Sequence, residues 1–236
     1  MEVGNSISIS TGQQWTFDND VASHFDEHVQ MSVPVYQEGH ELIGFLSDFF
    51  IKEGSVFYEI GCSTGALIHK IYTRHSQKAA TRFIGVEPVQ NMIAQAKKRT
   101  GNLPIEYVHN TIENIDMEAC DFIASYYCLQ FIPLTKRITA YEKLYDALIP
   151  GGALILFEKE VIDDSKINEM IESCYLKFKL SRGFSVDEII AKKFSLEGMM
   201  RPCTERENRK ILAEVGFKQI ATIMKYGEFH GYLCIK

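Results

Sequence analysis

Short apolar runs alternate with amphipathic stretches through the middle of the chain. Residues 56–60, 82–87, 105–109, 121–126 and 153–157 are brief and rich in β-branched and aromatic side chains, as in V-F-Y-E-I, R-F-I-G-V-E and A-L-I-L-F. Such runs read as buried strands. Between them, residues 35–50, the stretch from Ala66, residues 91–98 and residues 135–148 place apolar side chains at helical spacing. In the first of these helices Leu42, Ile43, Phe45, Leu46 and Phe49 are expected to face inward. Strands alternating with helices build a parallel sheet covered on both faces. A helix over 204–213 and strands over 219–225 and 231–235 follow. The last two strands are expected to run antiparallel and to complete a seven-stranded mixed sheet, so the pattern predicts an α/β, Rossmann-like fold.

The flanking segments break this rhythm. Residues 1–14 are polar and Ser-rich and are expected to be loosely held. Residues 15–25 return to helical spacing, and M-S-V-P-V-Y over 31–36 is a loop broken at Pro34. Residues 1–50 thus predict a helical cover for a ligand held by the first strand. Pro150, Gly151 and Gly152 predict a turn before the fifth strand. A helical insert is expected over 160–203, its helices over 163–200 interrupted at R-G-F-S (182–185) and carrying Lys192 and Lys193 beside Phe194. No repeat or second domain is visible, and 236 residues suit one α/β domain.

Composition narrows the function classes. A net charge of −6 excludes a broad nucleic-acid surface and favours a small-molecule substrate. The six cysteines show no C-x-x-C spacing, so neither a metal site nor a disulfide framework is indicated. No charged leader precedes an apolar core and no apolar run could span a bilayer, which predicts a cytoplasmic protein without membrane contact.

The candidate chemistry centres on residues 55–70, S-V-F-Y-E-I-G-C-S-T-G-A-L-I-H-K. Glu59 ends a strand, Gly61, Cys62, Ser63 and Gly65 form a small-residue turn, and a helix begins at once. A side chain at Gly61 would block the approach of a ligand to the backbone. The spacing is not the G-x-G-x-x-G of dinucleotide sites, and no phosphate-loop lysine follows. An uncharged adenosyl ligand ending in an amino acid suits it better. The turn resembles motif I of class I S-adenosylmethionine-dependent methyltransferases. Glu87 closes the second strand ahead of Pro88, placed to accept hydrogen bonds from ribose hydroxyls. Met92 on the next helix joins this set. Thr111 and Ile112 follow the third strand where such folds pass the adenine, and His109 is expected to be an ordinary loop histidine. Tyr126, Tyr127 and Cys128 follow the fourth strand, which faces the sulfonium. Aromatic faces attract cations by about 0.5–2 kcal/mol.

Motifs outside this core carry a narrower resemblance. W-T-F-D from Trp15, S-V-P-x-Y ending at Tyr36, G-C-S-x-G-A from Gly61, L-Q-F from Leu129, P-G-G-A-L from Pro150, Glu158-Lys159, Phe178-Lys179 and K-K-x-S-L-E from Lys192 together resemble the carboxy-S-adenosylmethionine synthase family. The resemblance implies a class I methyltransferase fold, S-adenosyl-L-methionine as donor, and a homodimer. It places donor-binding positions at Tyr36, Gly61, Cys62, Ser63, Glu87, Pro88, Thr111, Ile112 and Tyr126. Glu87 and Thr111 each stand where the family has Asp. In the parent reaction prephenate supplies a carboxylate that ends on the donor's methyl carbon. Both positions specific to that carboxylate have changed, since Tyr126 replaces an asparagine and Lys193 replaces an arginine, and lysine offers a point charge instead of a planar fork. The expectation is therefore methyl transfer from unmodified S-adenosylmethionine to a small, anionic or amino-acid-like acceptor, in a pocket lined by Tyr126, Tyr127, Glu158 and Lys193. The alternatives are carboxylated-donor synthesis, cyclisation of the donor to methylthioadenosine and azetidine-2-carboxylate, and a non-catalytic donor-binding module.

Overall fold

A computed structural model describes Val3, Ile7, residues 15–17 and residues 20–236. The central sheet has the order β3-β2-β1-β4-β5-β7-β6. Its strands are β1 Val56–Ile60, β2 Arg82–Glu87, β3 Ile105–His109, β4 Cys120–Tyr126, β5 Leu148–Lys159, β6 Gln219–Tyr226 and β7 Phe229–Ile235. β1 to β5 pair in parallel, while β7 runs antiparallel between β5 and β6. The predicted seven-stranded mixed sheet is the one observed.

Alternation along the strands sorts their side chains into two layers. Ile60, Ile84, Ile123, Leu154 and Leu156 meet Tyr141 and Leu144 of helix α5 (Leu134–Ala147) and Leu212 of α8 (Glu205–Glu214). On the opposite face Phe57, Phe83, Phe122, Ile155 and Phe157 pack against Ile43 of α2 (Tyr36–Phe50) and Leu67, Ile68 and Ile71 of α3 (Ala66–His75). α4 (Gln90–Thr100) lies beside α3. Both faces are thus dry, as parallel strands require.

Three expectations are corrected. The helix read over 15–25 is α1, Asp20–Ser32, and residues 15–17 precede it. Helix α2 buries Gly39, His40, Ile43, Gly44 and Ser47, leaving Phe45 and Phe49 exposed. The small residues face the sheet because a Cβ at Gly39 would collide with the Tyr126 hydroxyl, and because Ser47 Oγ pairs with His75 Nε2 of α3 at 2.7 Å. Third, Pro150 to Gly152 form a bulge within β5, since Gly151 N still donates to Lys236 O at 2.9 Å. The loose N-terminus read over 1–14 lies outside the described residues except at Val3 and Ile7, and both of these are buried. The insert forms α6 (Ser165–Ser181) and α7 (Val186–Ser195), separated at Gly183. A Ser185–Glu188 capping box starts α7. Both helices meet the N-terminal cover near the carboxyl end of β5. Tyr175 of α6 donates to Ser32 O at 2.9 Å, and Trp15 N donates to Ser195 O at 2.8 Å.

Candidate functional site

The turn between β1 and α3 is wound through left-handed backbone at Gly61 (φ 72°), Ser63 (φ 50°) and Gly65 (φ 74°). Gly61 N and Cys62 N both donate to Val86 O, which locks the turn to β2. A Cβ on Gly61 would run into Cys128 Sγ and Cβ. Glu87 sits across this turn, its Oε2 accepting from Ser63 N at 2.9 Å and its Oε1 from Val89 N at 3.0 Å. Each oxygen keeps a lone pair for a further donor. Burial raises its pKa while these two bonds oppose the rise. Ser63 Oγ lies 3.5 Å from Met92 Sδ. Beneath the turn Glu59 is buried, and its Oε2 has no hydrogen-bond partner among the described residues. Burial holds its pKa well above the ordinary carboxylate range.

The N-terminal cover closes over this turn. Asp26 of α1 accepts from Thr64 Oγ1 at 2.5 Å and forms an ion pair with Arg99 of α4. Pro88 O accepts from His109 Nε2 at 3.0 Å, so His109 is the satisfied loop histidine that was expected. Ile112 is buried beyond β3, and Thr111 Oγ1 accepts from Asn114. Cys62 turns its thiol towards Gly85 and Tyr107. Of the set read from the sequence, Ser63, Glu87 and Met92 meet around the β1–α3 turn, Cys62 lies beneath it, and Thr111 and Ile112 follow the carboxyl end of β3.

Across it stands a run of rings. Tyr36 lies 5.0 Å from Tyr126, centroid to centroid, and Tyr126 lies 4.7 Å from Tyr127 and from His40. Phe157, Phe229 and Tyr175 extend the run towards the insert. Tyr126 donates its hydroxyl to Tyr36 O at 2.8 Å. Burial, with Lys70 and Arg99 nearby, pushes the His40 pKa down to about 3, which keeps the ring neutral. Four non-glycine residues among those described have left-handed φ, and three of them, Val35, Ser63 and Tyr127, border this site. Such backbone costs on the order of 1–3 kcal/mol each and persists where the surroundings over-determine it.

Two expected pocket residues lie elsewhere. Lys193 is exposed on the outside of α7, whereas the adjacent Lys192 packs its ammonium over the Trp15 ring. One residue along a helix turns the side chain by about 100°, so a sequence alignment cannot say which lysine of a pair faces inward. Glu158 is buried but points to the α5 side of the sheet, opposite Tyr126 and Phe157. There its Oε1 has no hydrogen-bond partner among the described residues, and burial pushes its pKa up to about 8 against the pull of Arg137. Lys159 shares the Tyr126 face instead. Its Nζ pairs with Glu228 at 2.9 Å and lies 4.7 Å from the centre of the Tyr175 ring. Lys179 approaches the same ring at 4.6 Å. Tyr175, Phe178 and Lys179 stand at the i, i+3, i+4 spacing of one helix face, which is the sequence signal that could have identified them.

Residues 57–152 match the methyltransferase domain family. The chain is 32% identical over 226 residues to the carboxy-S-adenosyl-L-methionine synthase of Staphylococcus epidermidis, covering 94% of this chain and 97% of that one. It is likewise 32% identical to the synthase of Wolinella succinogenes, covering 95% and 94%. The chain belongs to the carboxy-S-adenosyl-L-methionine synthase family. Its fold is shared with a putative S-adenosyl-L-methionine-dependent methyltransferase of Methanococcus maripaludis (TM-score 0.60, 19% identity, 96% and 97% coverage). Human N-acetylserotonin methyltransferase, solved with SAM, shares it as well (TM-score 0.61, 13% identity, 91% and 54% coverage). This member of the synthase family is an S-adenosyl-L-methionine-dependent transferase. Its residues fit that donor: both Glu87 oxygens retain lone pairs beside the turn, and the buried Glu59 Oε2 has no hydrogen-bond partner among the described residues.

Proposed function

We propose that the chain transfers the methyl group of unmodified S-adenosyl-L-methionine to a small acceptor. The observation that carries this reading is the packed wall of Tyr36, Tyr126, Tyr127 and Phe157 beside the glycine turn. When bound, the donor supplies an electrophilic carbon on a sulfonium, and displacement there demands alignment more than acid–base groups. The rings favour a cation and exclude water from it. Neutral His40 adds no opposing charge. Glu87 holds the sugar, Ile112 and Thr111 border the base, and Glu59 accepts from the amino-acid end. Lys193 faces solvent and Tyr126 fills the place of the family's asparagine, which weighs against a carboxylated donor.

A second reading, cyclisation of the donor, is favoured by the Glu59 oxygen. When ionised, a carboxylate oxygen with no other hydrogen-bond partner among the described residues can take a proton from the α-ammonium. The freed amine then attacks the γ-carbon, the carbon–sulfur bond breaks towards sulfur, and methylthioadenosine leaves with azetidine-2-carboxylate. Mass spectrometry of incubations with S-adenosyl-L-methionine alone, with added small acceptors and with prephenate separates the readings. S-adenosylhomocysteine formed only with an acceptor is the expected result. Methylthioadenosine formed without one selects cyclisation, and carboxylated donor with phenylpyruvate overturns both.

The proposal extends to a cytoplasmic homodimer. It is supported by exposed Ile167, Met170, Leu180, Val186, Ile190 and Phe194 on α6 and α7, since apolar surface of this extent marks interaction sites. No helix among the described residues is long and apolar enough to cross a membrane.

A further inference from the structure

On the α8 face of the sheet, opposite the ring run, three elements bring polar side chains together. Glu160 follows β5, Glu205 opens α8 and His230 lies on β7, and one ligand atom from each falls within 4.8 Å of the others. Glu160 and His230 are buried. The donors at hand are already committed to other oxygens. Tyr232 gives its hydroxyl proton to Glu160 Oε1, and Asn208 Nδ2 donates to the same oxygen at 2.7 Å. His230 Nε2 lies 3.0 Å from Gly227 O, and a carbonyl only accepts, so this nitrogen carries the ring proton.

His230 Nδ1 is left with a lone pair, and acceptors surround it. The Tyr232 hydroxyl oxygen, its proton spent, is 3.4 Å away, Glu205 Oε2 is 3.9 Å away, and Glu160 Oε2 abuts the ring nitrogen. Glu160 Oε2 nevertheless has no hydrogen-bond partner among the described residues, and the same holds for buried Asn208 Oδ1. A second proton on the ring answers one of these oxygens and leaves the rest. Buried acceptors without a donor are costly, whereas one cation among them answers several at once.

We propose that Glu160, Glu205 and His230 bind a divalent transition-metal ion through two carboxylates and one imidazole nitrogen, tying β5, α8 and β7 together. Mixed imidazole and carboxylate donors suit manganese or zinc. Bonds of about 2.1 Å can gather ligand atoms at this separation after small side-chain shifts. No local spacing reveals the set, because its members come from elements far apart in the chain. Lys225 is the rival cation, its Nζ lying 2.7 Å from Glu205 Oε2. An ion at the site pushes that ammonium aside. The ion is a structural clip, and it stands whichever reaction the donor undergoes.

The full chain, freed of metal by a chelator, is titrated with Mn²⁺ while electron paramagnetic resonance measures the unbound ion. Manganese prefers carboxylate and water to thiolate, so the six cysteines do not compete for it. Saturable binding of a single ion and a higher thermal midpoint are expected, since a ligand of the native state stabilises it. Glu205→Gln should weaken binding by about tenfold or more, and Lys225→Met should strengthen it by about as much. Both residues are partly exposed, so these variants keep the fold. Glu214→Gln, exposed at the far end of α8, leaves binding unchanged. His230→Gln, checked for folding by circular dichroism, abolishes it. Binding that survives His230→Gln, or that is no tighter in Lys225→Met, places the ion elsewhere and overturns the proposal. Absence of saturable binding by the natural chain overturns it as well, and a second ring proton on His230 then neutralises the cluster.

Discussion

Gly61 shows how one missing side chain shapes the turn between β1 and α3, the proposed donor site. Its φ of 72° strains any other residue, and a Cβ would strike Cys128. Gly61→Val is expected to lower affinity for S-adenosylhomocysteine by about a hundredfold or more. Calorimetry on the variant, with circular dichroism as the check on folding, measures this. Glu158 offers a test of a different kind. Its pKa is about 8 in the fold against 4.5 unfolded, so the native chain binds more protons than the unfolded one between those values. Its contribution to stability is therefore complete below about pH 4.5 and is lost as the pH rises through about 8. Denaturant titrations across that range should show a steeper alkaline loss for the natural chain than for Glu158→Gln. Equal slopes would place Glu158 in water.

Helices α2 and α3 share, at the scale of the element, a buried hydrogen bond between Ser47 and His75. The His75 pKa falls from 6.5 to about 4 through burial, with Lys78 adding to the shift and Asp48 opposing it. The folded chain refuses a proton that the unfolded chain accepts, so stability present above about pH 6.5 is lost as the pH falls towards 4. His75→Gln should flatten that acid limb in thermal melts. Helix α5 is anchored by Arg137, which is fully buried and donates to the carbonyls of Gln130, Ile132 and Arg201. Arg137→Met strands these three carbonyls, at an expected cost of about 3 kcal/mol in urea unfolding. A loss under 1 kcal/mol would mean that the loop after β4 holds itself.

For the whole molecule, the insert and the N-terminal cover enclose the carboxyl end of the sheet from two sides. Their outer surfaces expose Met170 and Phe194, at 60% and 62% of full accessibility. Light scattering should give twice the monomer mass for the natural chain. Met170→Glu combined with Phe194→Glu should give a folded monomer. A dimer that survives both charges would place the interface elsewhere.

Periodicity by itself determined the strand set and the glycine turn, because a buried parallel strand must be apolar throughout and a ligand-facing turn must be small. The positions of Glu59, Glu87 and Ile112 at or just after strand ends were legible for the same reason, while their proposed roles await the binding tests above. Four facts waited on tertiary structure: that α2 turns Gly39 and Ser47 inward, that β5 runs through Pro150, that Lys192 packs against Trp15 while Lys193 faces solvent, and that Lys159 shares the Tyr126 face while Glu158 does not. Each depends on which side of an element meets a partner distant in the chain, such as Tyr126 against Gly39 or Trp15 against Lys192. Local spacing fixes the angle between neighbouring side chains, but only packing against remote residues sets which of them points inward.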